Sequence, residues 1–183
     1  MNEALIANIS LVILFMPLLG FAVLIFFGKK IPKLHIFETA VLFIVLLLSI
    51  TLLYFKLTFY INKDIVAEFT WITIGAAPLT GSYNIDLGIK IDNITVIMLF
   101  VVNLISFLVH LFSIEYMRGD KKYTRYFAYL GLFTFSMLGI VITHNILMMY
   151  IFWELVGLSS YLLIGFWFEK KSAADAGKKA FLV

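Results

Sequence analysis

Long apolar runs set the frame of this chain. Residues 4–27 hold no Asp, Glu, Lys, Arg or His. At about 1.5 Å of rise per residue, a helix over them crosses a hydrocarbon core of about 30 Å with some tilt. A second run covers 36–60, with Glu38 and Lys56 near its ends, from where long side chains are expected to reach the interface. A third, 93–114, contains no Asp, Glu, Lys or Arg. Residues 126–168 carry a single formal charge and would make one helix of roughly 65 Å, too long for one crossing. The polar triplet Thr143-His144-Asn145 is the natural break, which predicts helices over 126–143 and 145–168 and a further one over 172–183.

Between the second and third runs the period changes. Tyr83, Ile85, Leu87, Ile89 and Ile91 alternate with Asn84, Asp86, Gly88 and Lys90, the pattern of a strand with one covered face. Glu68 to Ile74 is a partner strand, and Gly75 to Ser82, with Pro78 and Gly81, is a turn. A β-hairpin over about 66–91, lying on the membrane surface, follows. The fold class is an all-α polytopic membrane protein: five transmembrane helices plus the start of a sixth, with a small β-hairpin between helices two and three. Residues 1–183 read as one domain, or the start of one.

Composition agrees. The chain is 63% hydrophobic and 14% charged, against about 45–50% and 25% for soluble domains, so lipid is the expected solvent. Met1, Asn2 and Glu3 supply no positive leader region, and the first run is too long for a signal core, so it is expected to remain as a span. Cysteine is absent, which excludes disulfides and thiolate metal sites. The net charge of +3 sits in loops. Lys29, Lys30 and Lys33 occupy the first. The third and fifth, around Arg118–Arg125 and Lys170–Lys179, are also net positive, whereas the hairpin region is net negative. Alternation of this kind is a topology signal rather than a nucleic-acid surface. It predicts cytoplasmic basic loops and an outward N-terminus.

Chemistry concentrates at few positions. Glu154 is the lone formal charge of helix five, near mid-depth, and an intramembrane acid is by default a functional site; a structural ion pair is the plainer alternative. Tyr150, Gly157, Tyr161 and Gly165 share its helical face. On helix three, Asn103, Ser106, His110 and Ser113 fall on one stripe, which should face the bundle interior or a hydrated path. His110 there is either a proton-exchanging group or a hydrogen-bonded packing residue. There is no phosphate loop, metal-ligand cluster or nucleophile triad.

The stretch from His110 to Phe168, above all WELVGLSSYLLIGFW (residues 153–167), closely resembles subunit L, or chain 5, of the proton-translocating NADH–quinone oxidoreductases (complex I). A softer resemblance extends over nearly the whole chain, about the first third of a typical member. It implies an antiporter-like membrane-arm subunit that moves protons while other subunits carry electrons from NADH to quinone. NADH, FMN, iron–sulfur clusters and quinone would belong to those partner subunits, with no cofactor in this chain. Its partners would be other membrane-arm subunits, the lipid bilayer and protons, with no nucleic acid. The resemblance assigns proton translocation to Glu154, Lys179 and His110, makes 1–183 the N-terminal part of an antiporter-like transmembrane domain, and places a lysine partner of Glu154 beyond Val183; Tyr150, Tyr161, Ser106 and Asn103, taken from their helical faces, are the supporting polar groups. It also implies a bacterial inner membrane, with mitochondrial or other energy-transducing membranes as the lesser alternative. Ser159 stands where many members carry cysteine. Two rivals stay open: the large subunit of a multisubunit sodium/proton antiporter or a related hydrogenase module, and a membrane scaffold without transport.

Overall fold

The computed structural model describes residues 2–28, 34–74 and 83–182. In chain order the elements are α1 (Glu3–Phe27), α2 (Leu34–Phe59), β1 (Ile65–Ile74), β2 (Tyr83–Ile91), α3 (Asn93–Tyr116), α4 (Tyr123–Ile142), α5 (Ile146–Ile164) and α6 (Lys171–Leu182). The first five helices are long and apolar enough to cross a membrane, and the hairpin stands between α2 and α3 as the alternation predicts. The expected turn over 75–82 and the basic loop Lys29–Lys33 lie outside the described residues.

Polar residues set the helix starts. Asn2, Asp92 and Asn145 each cap a helix, accepting the backbone N–H of Leu5 at 3.0 Å, Thr95 at 2.8 Å and Met148 at 2.8 Å. Each cap satisfies one of the amides a helix start leaves free. Between α3 and α4 the chain turns through Gly119, whose φ of 87° lies where glycine alone is unstrained. Helix α5 ends at Ile164, short of the predicted Phe168. The apolar run continues through Phe166, Trp167 and Phe168, but these residues form the α5–α6 turn, where Trp167 Nε1–H donates to Asp120 at 2.9 Å and Lys122 sits over the Phe168 ring.

Helix α4 is the centre of the bundle and packs against α1, α2, α3 and α5. Its buried residues run the length of the helix, from Phe127 through Thr134 to Ile142. The main apolar cluster joins Ile6, Ile13, Val45, Leu52, Leu99, Phe135 and Leu138, among others, from α1 to α4. Helix α5, by contrast, has only Ser159 buried. It packs chiefly against α4 on one side and α6 on the other.

The hairpin pairs antiparallel, Ile65 opposite Ile91 and Glu68 opposite Gly88, with a register shift between Thr70 and Ile72. Its covered face puts Ile65, Ile89 and Ile91 into the core. It also grips the α4–α5 turn. Ile89 bridges to Thr143, the His144 N–H donates to the Gly88 carbonyl at 3.0 Å, and Asn145 Nδ2 donates to the Asp86 carbonyl. At the opposite end Lys122 pairs with Glu169 at 2.6 Å. The third and fifth loops therefore share one end of the bundle, and the hairpin and the 143–145 turn share the other.

Candidate functional site

Glu154 lies mid-way along α5 on the face turned away from α4, and it is exposed in this chain. The expected interior site around it is therefore open in this structure: among the described residues only α6 approaches that side. Tyr150 stands one turn earlier on the same helical face, where its hydroxyl interacts electrostatically with the Glu154 carboxylate. The next turn offers space, since a Cβ added at Gly157 would meet nothing within 4 Å. Glu154 joins Ile151, Leu155, Leu158 and Phe181 in lining an apolar groove of about 320 Å³ between α5 and α6. Tyr161, two turns on, packs edge-on to Phe181 with ring centroids 5.9 Å apart. Gly165 and Gly177 set this spacing, because a Cβ on Gly177 would stand 3.1 Å from the Gly165 Cα.

Lys179 lies on the last turn of α6 and is exposed. Among the described residues no ion pair joins it to Glu154. Its neighbour Lys178 lines an adjoining pocket with Leu158, Tyr161, Phe181 and Leu182, and it pairs with Asp175 at 4.0 Å.

The α3 stripe is buried, as its spacing predicts. Asn103, His110 and Ser113 are each no more than 1% exposed, and Ser106 is half-buried. His110 Nδ1 is 2.8 Å from the Ser106 carbonyl oxygen. A carbonyl only accepts, so Nδ1 carries the proton and Nε2 keeps its lone pair. Nε2 has no partner among the described residues, and neither do the amide atoms of Asn103. The imidazole stands edge-on to Phe127 of α4, with centroids 5.8 Å apart. The predicted residues thus form two groups: Tyr150, Glu154 and Tyr161 on the open side of α5, and Asn103, Ser106 and His110 inside the α1–α4 bundle. Helix α4 stands between them.

Two charged residues expected at the interface are instead interior. Lys56 is fully buried; its Nζ donates to the Tyr60 carbonyl at 2.9 Å and to Asn93 Oδ1 at 2.8 Å. Glu38 is likewise 0% exposed. A Cβ added at Gly20 of α1 or at Gly131 of α4 would land on its carboxyl group, so these two glycines make the slot it fills. The missed signal was the pair of glycines within apolar runs that pack against α2.

Comparison with known proteins gives the arrangement a family. The profile described as the N-terminus of NADH-ubiquinone oxidoreductase (complex I) chain 5 matches residues 77–127, and the NADH:quinone oxidoreductase/Mrp antiporter transmembrane profile matches 143–183. This chain belongs to the chain 5 family. It corresponds to the N-terminal portion of such a subunit, as the WELVGLSSYLLIGFW stretch implies. The chain 5 relatives include NAD(P)H-quinone oxidoreductase subunit 5 of the Paulinella chromatophora chromatophore, 41% identical over 91% of this chain and 24% of that protein. The chloroplast subunit 5 of Physcomitrium patens is 44% identical over 87% of this chain and 22% of the relative. Chain 5 of Synechocystis is 50% identical over 56% of this chain and 15% of its own length. The chain therefore spans about a quarter or less of these relatives. In fold it also matches a chain of an archaeal membrane-bound sulfane sulfur reductase, with a TM-score of 0.69 at 19% identity, covering 99% of this chain and 34% of that one.

Proposed function

We propose that this chain is part of a membrane-arm subunit that translocates protons, coupled to electron transfer from NAD(P)H to quinone in other subunits. The observation that carries the reading is Glu154: a single acid at mid-depth of an apolar helix, one turn from Tyr150 and facing an open groove. A carboxylate at that depth is costly unless water or a counter-charge reaches it. The open α5 face has room for both. Glu154 takes up and releases the transported proton, Tyr150 and Tyr161 hold water beside it, and a cation from further along the chain balances its charge. His110, and through it the α3 stripe, serves a separate interior position, while Lys179 sits at the basic end where protons enter or leave.

The reading carries a topology. The basic loops face the side from which protons are taken, and the hairpin faces the other. Nicotinamide, flavin, iron–sulfur and quinone chemistry belongs to the partner subunits. The relatives come from a cyanobacterium, a chloroplast and a chromatophore, which supports an energy-transducing membrane of that kind or of a bacterium. The test is Glu154→Gln in the intact complex reconstituted into vesicles. Proton uptake per electron should fall while the electron-transfer site itself stays assembled; undiminished pumping would refute the assignment.

A further inference from the structure

Two buried charges inside the α1–α4 bundle are treated differently. Lys56 has two oxygen acceptors within 2.9 Å. Glu38 has none of the matching donors: among the described residues neither carboxyl oxygen has a hydrogen-bond partner. The Pro17 carbonyl oxygen, an acceptor, lines the same slot at Gly131. An ionised carboxylate without a donor or counter-charge is costly to bury, whereas a protonated one brings its own donor to such a carbonyl. One carboxyl and one carbonyl are too few oxygens for a metal cation, so the occupant that fits is a proton.

A route to the slot is laid out along two helices. Glu38 sits only four residues into α2, roughly 6 Å of rise from its end. At that end Gly28, Lys122, Thr124 and Arg125 line a polar vestibule of about 400 Å³. Stepping inward by one turn, α1 passes from Gly28 to Leu24 and then to Gly20, while α4 passes from Thr124 to Phe127 and Ala128 and then to Gly131. Leu24, Phe127 and Ala128 form a separate buried apolar cluster. It lies between the vestibule and the carboxyl.

We propose that Glu38 is a proton-binding site closed inside the α1–α2–α4 packing, loaded from the basic end of the molecule through an apolar plug formed by Leu24, Phe127 and Ala128. The exchange is simple in its balance: the O–H bond of Glu38 breaks, the proton leaves to water admitted past the plug, and the reverse step reloads it. Alpha1 offers no other titratable side chain between Glu3 and its end, and α3 offers His110. On α4, Tyr123 and Tyr126 pack against the plug itself, whereas Tyr129 packs on Phe166.

Infrared spectroscopy of the full-length chain in its purified complex tests this. At neutral pH the native spectrum should contain an un-ionised carboxyl band that Glu38→Gln removes, and transfer to deuterium oxide should shift that band slowly. Leu24→Ala, which thins the plug, should speed the shift at least about tenfold, equivalent to about 1.4 kcal/mol less for opening it. Where Glu38→Gln does not assemble, Glu38→Asp keeps the acid and should move the band rather than delete it. No band lost or moved by either variant, no response to deuterium, or an unchanged rate in Leu24→Ala would each overturn the proposal. Its failure is distinct from that of the Glu154 reading, because Glu154→Gln should leave this band intact.

Discussion

Asn145 joins the hairpin to the start of α5 through both ends of one amide, so its removal can be worked out in parts. Its oxygen accepts the Met148 N–H at 2.8 Å, and its nitrogen donates to the Asp86 carbonyl. Replacing an N-cap Asn with Ala costs about 1 kcal/mol, and losing a partly buried neutral hydrogen bond costs about another 1 kcal/mol. Asn145→Ala should therefore loosen this junction by about 2 kcal/mol, or about thirtyfold in the local opening equilibrium. Asn145→Asp keeps the acceptor and deletes the donor, so about half the effect should remain, roughly fivefold. Native-state amide hydrogen exchange of the full-length protein in its complex, read on peptides covering 85–89 and 146–149, measures both. The Met148 amide should exchange faster in Asn145→Ala and stay protected in Asn145→Asp. Equal exchange at Met148 in both variants, or acceleration spread over α1 and α2 as well, would refute the idea that the hairpin holds α5 locally through this side chain.

Two further outcomes follow from polar contacts elsewhere. Asn93→Leu leaves the buried Lys56 ammonium with the Tyr60 carbonyl alone and frees the Ile61 carbonyl that Asn93 Nδ2 now reaches at 2.8 Å; it should destabilise the α2–α3 end by about 2–4 kcal/mol, seen as a lower melting temperature of the complex, and Lys56→Met in the same chain should restore much of the loss. In the α3–α4 loop, donation from the Trp167 indole and the Lys122 backbone N–H holds the Asp120 carboxyl below the usual carboxylate range. A depressed carboxylate lends stability above its unfolded value, about 3.9, and loses it as the pH falls through the folded one. Fluorescence from Trp167, isolated by subtracting a Trp167→Phe variant, should thus hold steady from pH 7 to about 5 and change below about 4, and Asp120→Asn should abolish that change.

Along the chain axis, the hydrophobic pattern was a sufficient guide. The polar triplet 143–145 marked the break within a 43-residue apolar run because a turn between two spans must satisfy its backbone, and Asn145 does so. The α3 stripe also reported its own direction, since four polar groups on one face have an interior as their sole inexpensive destination. Across the chain axis the pattern was weak. Helix α5 is apolar on every side, so nothing in its composition told which face α4 would cover, and the face bearing Glu154 proved open. Glu38 and Lys56 were misplaced for a related reason. Distance from a helix end predicts how far a side chain can reach, whereas the glycines of α1 and α4, and the amide of Asn93, decided that these two charges turn inward. Phe166, Trp167 and Phe168 extended the α5 run past its true end, because aromatic residues are as much at home in an interfacial turn as in a span.

The central position of α4 has an electrical consequence. Between Arg125 and Ile142 this helix carries no charge, so it acts as an insulating partition between the Glu154 side and the bundle that holds Glu38 and His110. Protons need a chain of polar atoms to pass such a partition, but an electric field needs none. Two unit charges about 12 Å apart, roughly one helix diameter, interact by about 1.4 kcal/mol at an effective dielectric constant of about 20. That is a tenfold bias in occupancy. On the proposed roles of Glu154 and Glu38, loading one side would tilt the protonation of the other with no moving part, while the same apolar wall would keep the two sides from short-circuiting.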